Sequence, residues 1–210
     1  MIRLFIYIGI TLLLAACRGG DFTPNTGDLL FQVNEPSAMT DAITDATAQQ
    51  DRYKISHVAI FQQTETGMWA LEATGKGGVR RTSWREFLNS SARINGRPGV
   101  IVMRVREDFP IGEAMRRAES HLGEPYDYSY LPDNGRMYCS ELVYESYRRA
   151  DGTPLFTARP MNFRNADGEL PAFWVELFGR LGEPVPEGVP GTNPADMAKE
   201  PVLKPVHRFF

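Results

Sequence analysis

Apolar positions along this chain fall into two regimes. Between residues 4 and 16 they form an almost unbroken run behind one positive charge, Arg3. That run is shorter than the about 20 apolar residues of a bilayer-spanning helix, and it has the length of the apolar region of an export signal. Beyond it, apolar residues come in short groups broken by glycine, proline and polar turns. Residues 29–33, 56–62, 68–73, 78–82 and 99–106 are short, rich in β-branched or aromatic side chains and bounded by turn formers, which predicts strands.

Helical spacing appears mainly in the second half of the chain. Ser83 caps a short helix over 84–88, with Glu86 at the reciprocal capping position. Pro110 suits the start of a helix over 111–122, where Ala114, Ala118 and Leu122 recur every four residues and Gly123 stops it. A further helix over 139–150 places Cys139, Leu142, Val143, Ser146, Tyr147 and Ala150 on one face, before Gly152 and Pro154. Another covers 172–181 and is followed by a Pro/Gly-rich tail. The stretch 35–52, rich in Asp, Thr, Ala and Gln, reads as a loop with a helix inside it. Strands first and helices later predict an α+β domain with a small antiparallel sheet.

The cysteines change the picture most. Leu14-Ala15-Ala16-Cys17 closes the apolar run and resembles the lipobox of bacterial lipoproteins, in which the cysteine is acylated and becomes the new N-terminus. The alternative is an ordinary signal cleaved near Ala16. The chain then divides into a signal at 1–16, the lipidated Cys17 with a tether to residue 26, and one domain over 27–210. Such a protein is exported and anchored to a membrane facing the periplasm; Arg18 after the cysteine leans toward the outer membrane. Loss of the signal removes Arg3 and no acid, so the −3 of the full chain becomes −4. That mildly acidic, mixed charge carries no basic run for nucleic acid. With Cys17 committed to lipid, Cys139 is a lone thiol in an oxidising compartment, either a reactive group or a small buried hydrophobe.

A thiol in the first turn of a helix sees unpaired backbone N–H groups and the positive end of the helix dipole. Both favour the thiolate, and the same N–H groups suit a developing oxyanion. A thiolate nucleophile also needs a base. Of the three histidines, His207 lies in the tail and His121 at a helix end beside Gly123. His57 opens the apolar strand His57-Val58-Ala59-Ile60-Phe61 and projects from its end, though a lone strand histidine is also a common structural residue. Glu72 lies among apolar residues of the next strand, either on a solvent face or as partner to a buried group. If a hairpin closes around residues 64–67, Glu72 approaches His57. No CxxC and no His-Glu-x-x-His occurs, so the sequence calls for no metal or other cofactor. Gly75-Lys76-Gly77-Gly78 opens no helix and reads as a turn.

Six segments together resemble the YiiX/YaeF-like permuted papain-like amidases, relatives of the NlpC-type cysteine peptidases. They are Gly27-Asp28-Leu29-Leu30-Phe31, Ser56-His57-Val58-Ala59-Ile60, Glu72-Ala73, Tyr126-Asp127, Tyr138-Cys139-Ser140-Glu141-Leu142-Val143 and Pro190-Gly191-Thr192-Asn193-Pro194. The resemblance implies a circularly permuted papain-like core, with a small antiparallel sheet or barrel packed against the nucleophile helix. It implies Cys139 as nucleophile, His57 as general base and Glu72 as the residue that orients the imidazole. Tyr126 is implied as an oxyanion donor or cleft wall, with packing as the alternative, and Glu141 as a structural residue closing the first helical turn. The activity implied is cleavage of an amide through a thioester acyl-enzyme. A peptidoglycan stem peptide fits the exported address. An N-acyl lipid fits the related acyltransferases that resemble lecithin:retinol acyltransferase. A lipoprotein binding module with an idle thiol is the non-enzymatic alternative.

Overall fold

The computed structural model describes residues 22–47 and 53–210. The expected signal and the expected lipidation site, Cys17, lie outside the described residues. Six antiparallel strands make one sheet: β1 (Leu29–Gln32), β2 (His57–Thr64), β3 (Gly67–Thr74), β4 (Gly78–Ser83), β5 (Val100–Val105) and β6 (Leu203–Arg208). Their spatial order is β6-β5-β1-β2-β3-β4. Strands β2 and β3 pair out to Thr64 and Gly67, the tight hairpin expected between His57 and Glu72. The glycine string turns β3 into β4, with Gly77 N donating to Thr74 O at 3.2 Å. Gly78 stands at φ +61°, where a Cβ would lie 2.0 Å from the Glu124 carbonyl oxygen, so both conformation and space demand glycine.

Six helices surround the sheet: α1 (Ala38–Ala46), α2 (Trp84–Ser90), α3 (Ile111–Ser120), α4 (Cys139–Ser146), α5 (Ala172–Leu181) and the short α6 (Pro194–Met197). Alternation along the strands separates two apolar faces. Leu29, Phe31, Val58, Ile60 and Leu71 pack with Ala114 and Ala118 of α3 and with Val143 and the neighbouring Tyr147 of α4. Leu30, Ala59, Phe61, Ala70, Val100 and Val102 form the opposite face, covered by Trp84 and Phe87 of α2. A third cluster joins Tyr126, Tyr130, Tyr138, Phe163, Trp174 and Phe178, tying α5 to the start of α4. The α+β class with an antiparallel sheet packed on the cysteine helix is thus the observed architecture.

Two segments depart from the pattern-based expectation. Helix α4 ends at Ser146 rather than near Ala150, because Tyr147 leaves helical geometry at ψ 84°. Its carbonyl instead accepts from Leu155 N at 2.8 Å, and Arg148 bridges Pro154, so the chain doubles back. Tyr147 itself is fully buried, and its hydroxyl donates to the Gly27 carbonyl at 2.8 Å, fastening α4 to the start of β1. The expected tail is ordered: Leu203–Arg208 is the edge strand on β5, with a register shift between Pro205 and His207. His207 lies opposite Val102 and stacks on Phe22 with ring centroids 4.2 Å apart.

Candidate active site

His57 is the first residue of β2, so its ring can reach past the sheet end toward the N-terminus of α4. The register places Ala59 opposite both Leu30 of β1 and, by extension of the β2–β3 ladder, residue 72. His57 and Glu72 are therefore diagonal neighbours on one face, a separation that long side chains span. Nε2 of His57 lies 2.7 Å from Oε2 of Glu72, and both side chains are buried. The other carboxylate oxygen accepts from the Thr82 hydroxyl, and Arg80 stands 4.0 Å from it. With Nε2 committed to Glu72, Nδ1 is the ring nitrogen left over, and Cys139 is the other group that acts on the ring.

Electrostatics follow from this line of three groups. Burial disfavours a charged imidazole, but the hydrogen bonds and charges of Cys139 and Glu72 outweigh it and push His57 up to about 10. Glu72 is held below the ordinary carboxylate value: burial opposes this, and the bonds and charges of His57, Thr82 and Arg80 overcome it. Around neutral pH the ring is thus an imidazolium between two acidic partners. Cys139 is a free thiol at the first position of α4, where backbone N–H groups lack helical acceptors.

The helix start is clamped by a segment distant in sequence. Thr192 N donates to the Tyr138 hydroxyl at 3.1 Å, and the Ser140 hydroxyl donates to Thr192 O at 3.1 Å. Gly191 lets this strand approach, since a Cβ there would meet Met161 Sδ at 2.5 Å and the Tyr138 hydroxyl at 2.9 Å. Asn193 then caps α6, accepting from Asp196 N at 2.8 Å. Each residue of the Gly191-Thr192-Asn193 motif therefore has a positional task around Cys139. Glu141 accepts from Tyr138 N at 3.3 Å, across the first turn. Burial, first, raises it to about 8; the Tyr138 N–H opposes that, and the charges of Asp127, Glu145 and Asp133 add to it. The carboxyl beside the thiol is accordingly neutral at pH 7.

Tyr126 is buried and lines the same cavity as Cys139. Burial, then the charges of neighbours including Tyr130 and Cys139, keeps its phenol protonated well above the usual range. Asp127 sets the loop that carries it, accepting from Ser129 N at 2.8 Å and Leu131 N at 2.9 Å. The arrangement brings Cys139, His57 and Glu72 into one line, with Tyr126 at its edge. It leaves His121 outside, paired with Glu124 at 3.0 Å. Thr82 and the Thr192 backbone carry no chemical signature of their own in sequence; only the alternation of β4, which puts Thr82 on the Glu72 face, points to the first.

Comparisons with known proteins bear on the family and the fold. Residues 23–207 match the family of permuted papain-like amidases of the YaeF/YiiX type, C92. The YiiX protein of Escherichia coli strain K12 is 27% identical over 167 residues, which cover 78% of this chain and 76% of that protein. A solved structure described as the metalloprotein YiiX of Escherichia coli O157:H7 superposes with a TM-score of 0.70 at 24% identity, covering 90% of this chain and 99% of that one. The match over nearly the whole described domain shows that the chain belongs to the YaeF/YiiX family of permuted papain-like amidases.

Proposed function

We propose that this protein is a cysteine amidase in which Cys139 attacks the substrate carbonyl, His57 moves the proton and Glu72 holds the ring. The observation that carries this reading is the buried His57–Glu72 pair, Nε2 to Oε2 at 2.7 Å, with Cys139 in the first turn of α4 acting on the same ring. The thiolate adds to the carbonyl carbon, and the oxyanion lies toward the N–H groups that open α4. His57 gives its proton to the amide nitrogen, the C–N bond breaks and the amine departs, leaving a thioester on Cys139. The now neutral ring takes a proton from water as that water attacks the thioester. The acid leaves, and thiolate and imidazolium are restored. Tyr126, a protonated phenol on the cavity wall, lines the acyl side of this reaction.

A metal has no place in that scheme. The structural relative is described as a metalloprotein. Among the described residues no three His, Cys, Asp or Glu side chains come together as a ligand set.

The test is the rate at which iodoacetamide alkylates Cys139. In the proposed pair the reacting species is the thiolate held against the His57 imidazolium, so the expected wild-type rate at pH 6 stays within a few-fold of that at pH 8. An isolated thiol with the ordinary value near 8.5 loses about 75-fold over the same interval. His57→Ala brings the protein to that steep profile. An equally steep profile in the wild type rules the ion pair out and leaves a binding lipoprotein on an amidase scaffold.

The exported, lipid-anchored state belongs to the same proposal and rests on Leu14-Ala15-Ala16-Cys17 behind the apolar run. Labelled palmitate enters the wild-type chain and not Cys17→Ala; equal labelling of both would leave an ordinary signal peptide as the reading.

A further inference from the structure

Beyond the carboxylate that holds His57, a further charged pair runs out to solvent. Glu72 lies directly opposite Arg80 in the β3–β4 ladder, and Thr82, two residues on, shares that face. Both oxygens of Glu72 already have partners, His57 Nε2 at 2.7 Å on one and the Thr82 hydroxyl on the other. Arg80 Nη2 stops 4.0 Å from the second oxygen, outside hydrogen-bond reach. It lies closer, at 3.5 Å, to Oε1 of Glu86 in the first turn of α2. The groups facing the Glu72 carboxylate are thus His57 from β2 and Arg80 and Thr82 from β4, with Glu86 of α2 behind Arg80. Cys139 of α4 is the other group that acts on the ring.

Two features show that the Arg80 side chain is confined. Its Nε is closed off from solvent and has no acceptor, a desolvation cost that a free surface arginine does not carry. Gly77 packs along its stem, since a Cβ there would meet Arg80 Cδ at 3.0 Å. The glycine string between β3 and β4 therefore leaves the room in which this arginine lies. An arginine opposite a carboxylate ordinarily closes onto it with two parallel hydrogen bonds. Closure here would draw the charge of Glu72 away from His57 and bring a second cation toward the imidazolium. Glu86, with a side chain 61% exposed, supplies the competing charge on the solvent side.

We propose that Arg80 and Glu86 are a tuning pair behind the catalytic line: Glu86 holds the Arg80 guanidinium short of Glu72, and the gap so kept sets how firmly the carboxylate holds the His57 imidazolium. The inference rests on the cysteine amidase reading above. Both are positioning residues, acting on the reaction only through Glu72. The ring has to keep its proton while the thiolate waits and release it when the amine departs, so the strength of that hold bears on both steps.

The test is alkylation of Cys139 by iodoacetamide in the full-length protein, read as the ratio of the rate at pH 6 to that at pH 8. Four proteins are compared: wild type, Glu86→Gln, Arg80→Met and the double variant. Glu86→Gln frees Arg80 to close on Glu72, and the ratio falls about threefold, a size suited to a half-exposed ion pair. Arg80→Met keeps the ratio at or above the wild-type value, and in that background Glu86→Gln changes nothing. The cap of α2 is untouched, because the Ser83 hydroxyl accepts from the backbone N–H of residue 86 at 3.2 Å. An equal fall in both backgrounds places the action of Glu86 in its helix and overturns the inference. A fall in Arg80→Met alone means that the guanidinium supports the pair, and overturns it too. Four equally flat profiles do the same and leave the amidase reading standing. A wild type with the steep profile of an ordinary thiol overturns both.

Discussion

On the sheet side of Cys139, both ring nitrogens of His57 and both oxygens of Glu72 have assigned partners, while on the helical side the cavity presents mostly carbon. The first region fixes one arrangement: moving His57 would strand a buried carboxylate, a cost of several kcal/mol. The second has no comparable constraint, because contact between apolar surfaces is non-directional and grows with area. A proton path tolerates little displacement, whereas apolar contact changes gradually with the shape of what it touches.

Removing the charge on the sheet side is the sharpest way to break this contrast. Glu72→Gln keeps an oxygen near Nε2 but withdraws one of the two groups that hold the ring positive. A roughly 10- to 100-fold fall in kcat/KM is expected, less than the about 10⁴ seen for the orienting aspartate of serine triads, because the Cys139 partner remains. Stability carries a pH signature. His57 is raised, so its contribution is complete below the unfolded value of about 6.5 and is lost as pH rises toward about 10. Glu72 is depressed, so its contribution is present above about 4.5 and is lost as pH falls through its lower folded value. The wild type should exceed Glu72→Gln most between about pH 5 and 6.5, by roughly 3 kcal/mol, with the gap narrowing at pH 3 and at pH 10. Thermal unfolding across that range measures it, and a gap independent of pH would mean that the pair is not ionised.

The same contrast explains what the sequence made legible. The parts of the sheet side lie in two adjacent strands, and the stretch from His57 to Glu72 shows alternation, a turn and an out-of-place charge. Cys139 announces itself through the stripe of its helix. Helix α5, at Ala172–Leu181, has the bounds its spacing predicts, since Gly182 at φ +69° ends it. The cavity side is assembled from residues 43 to 200, and no local period reports that Trp174 and Tyr130 share a wall. Strand β6 was hidden for a related reason: it is an edge strand with Pro205 and exposed Lys204, the features that also mark a loose tail. Its pairing with β5 across about 100 residues is a property of the fold alone. Helix α4 stops early because Tyr147 bonds to Leu155, a contact that helical spacing cannot anticipate.

Glu141 sits where the two regions meet, in the first turn of α4 and against the tyrosines, and it yields the smallest expected effect on catalysis. Its raised value near 8 means that the folded chain holds a proton which the unfolded chain sheds above about 4.5. Stability relative to a neutral isostere therefore declines as pH rises from about 4.5 to 8 and is level beyond. Glu141→Gln retains an acceptor for Tyr138 N and removes the titration. The variant should match the wild type near pH 4.5 and exceed it by a few kcal/mol, at most about 4, at pH 8 to 9, with kcat/KM within threefold at pH 6. If the wild type is instead the more stable protein at pH 8, Glu141 is ionised in the folded state. The thiolate would then face a second negative charge across one helical turn, and the pairing with His57 would have to overcome that repulsion in addition to burial.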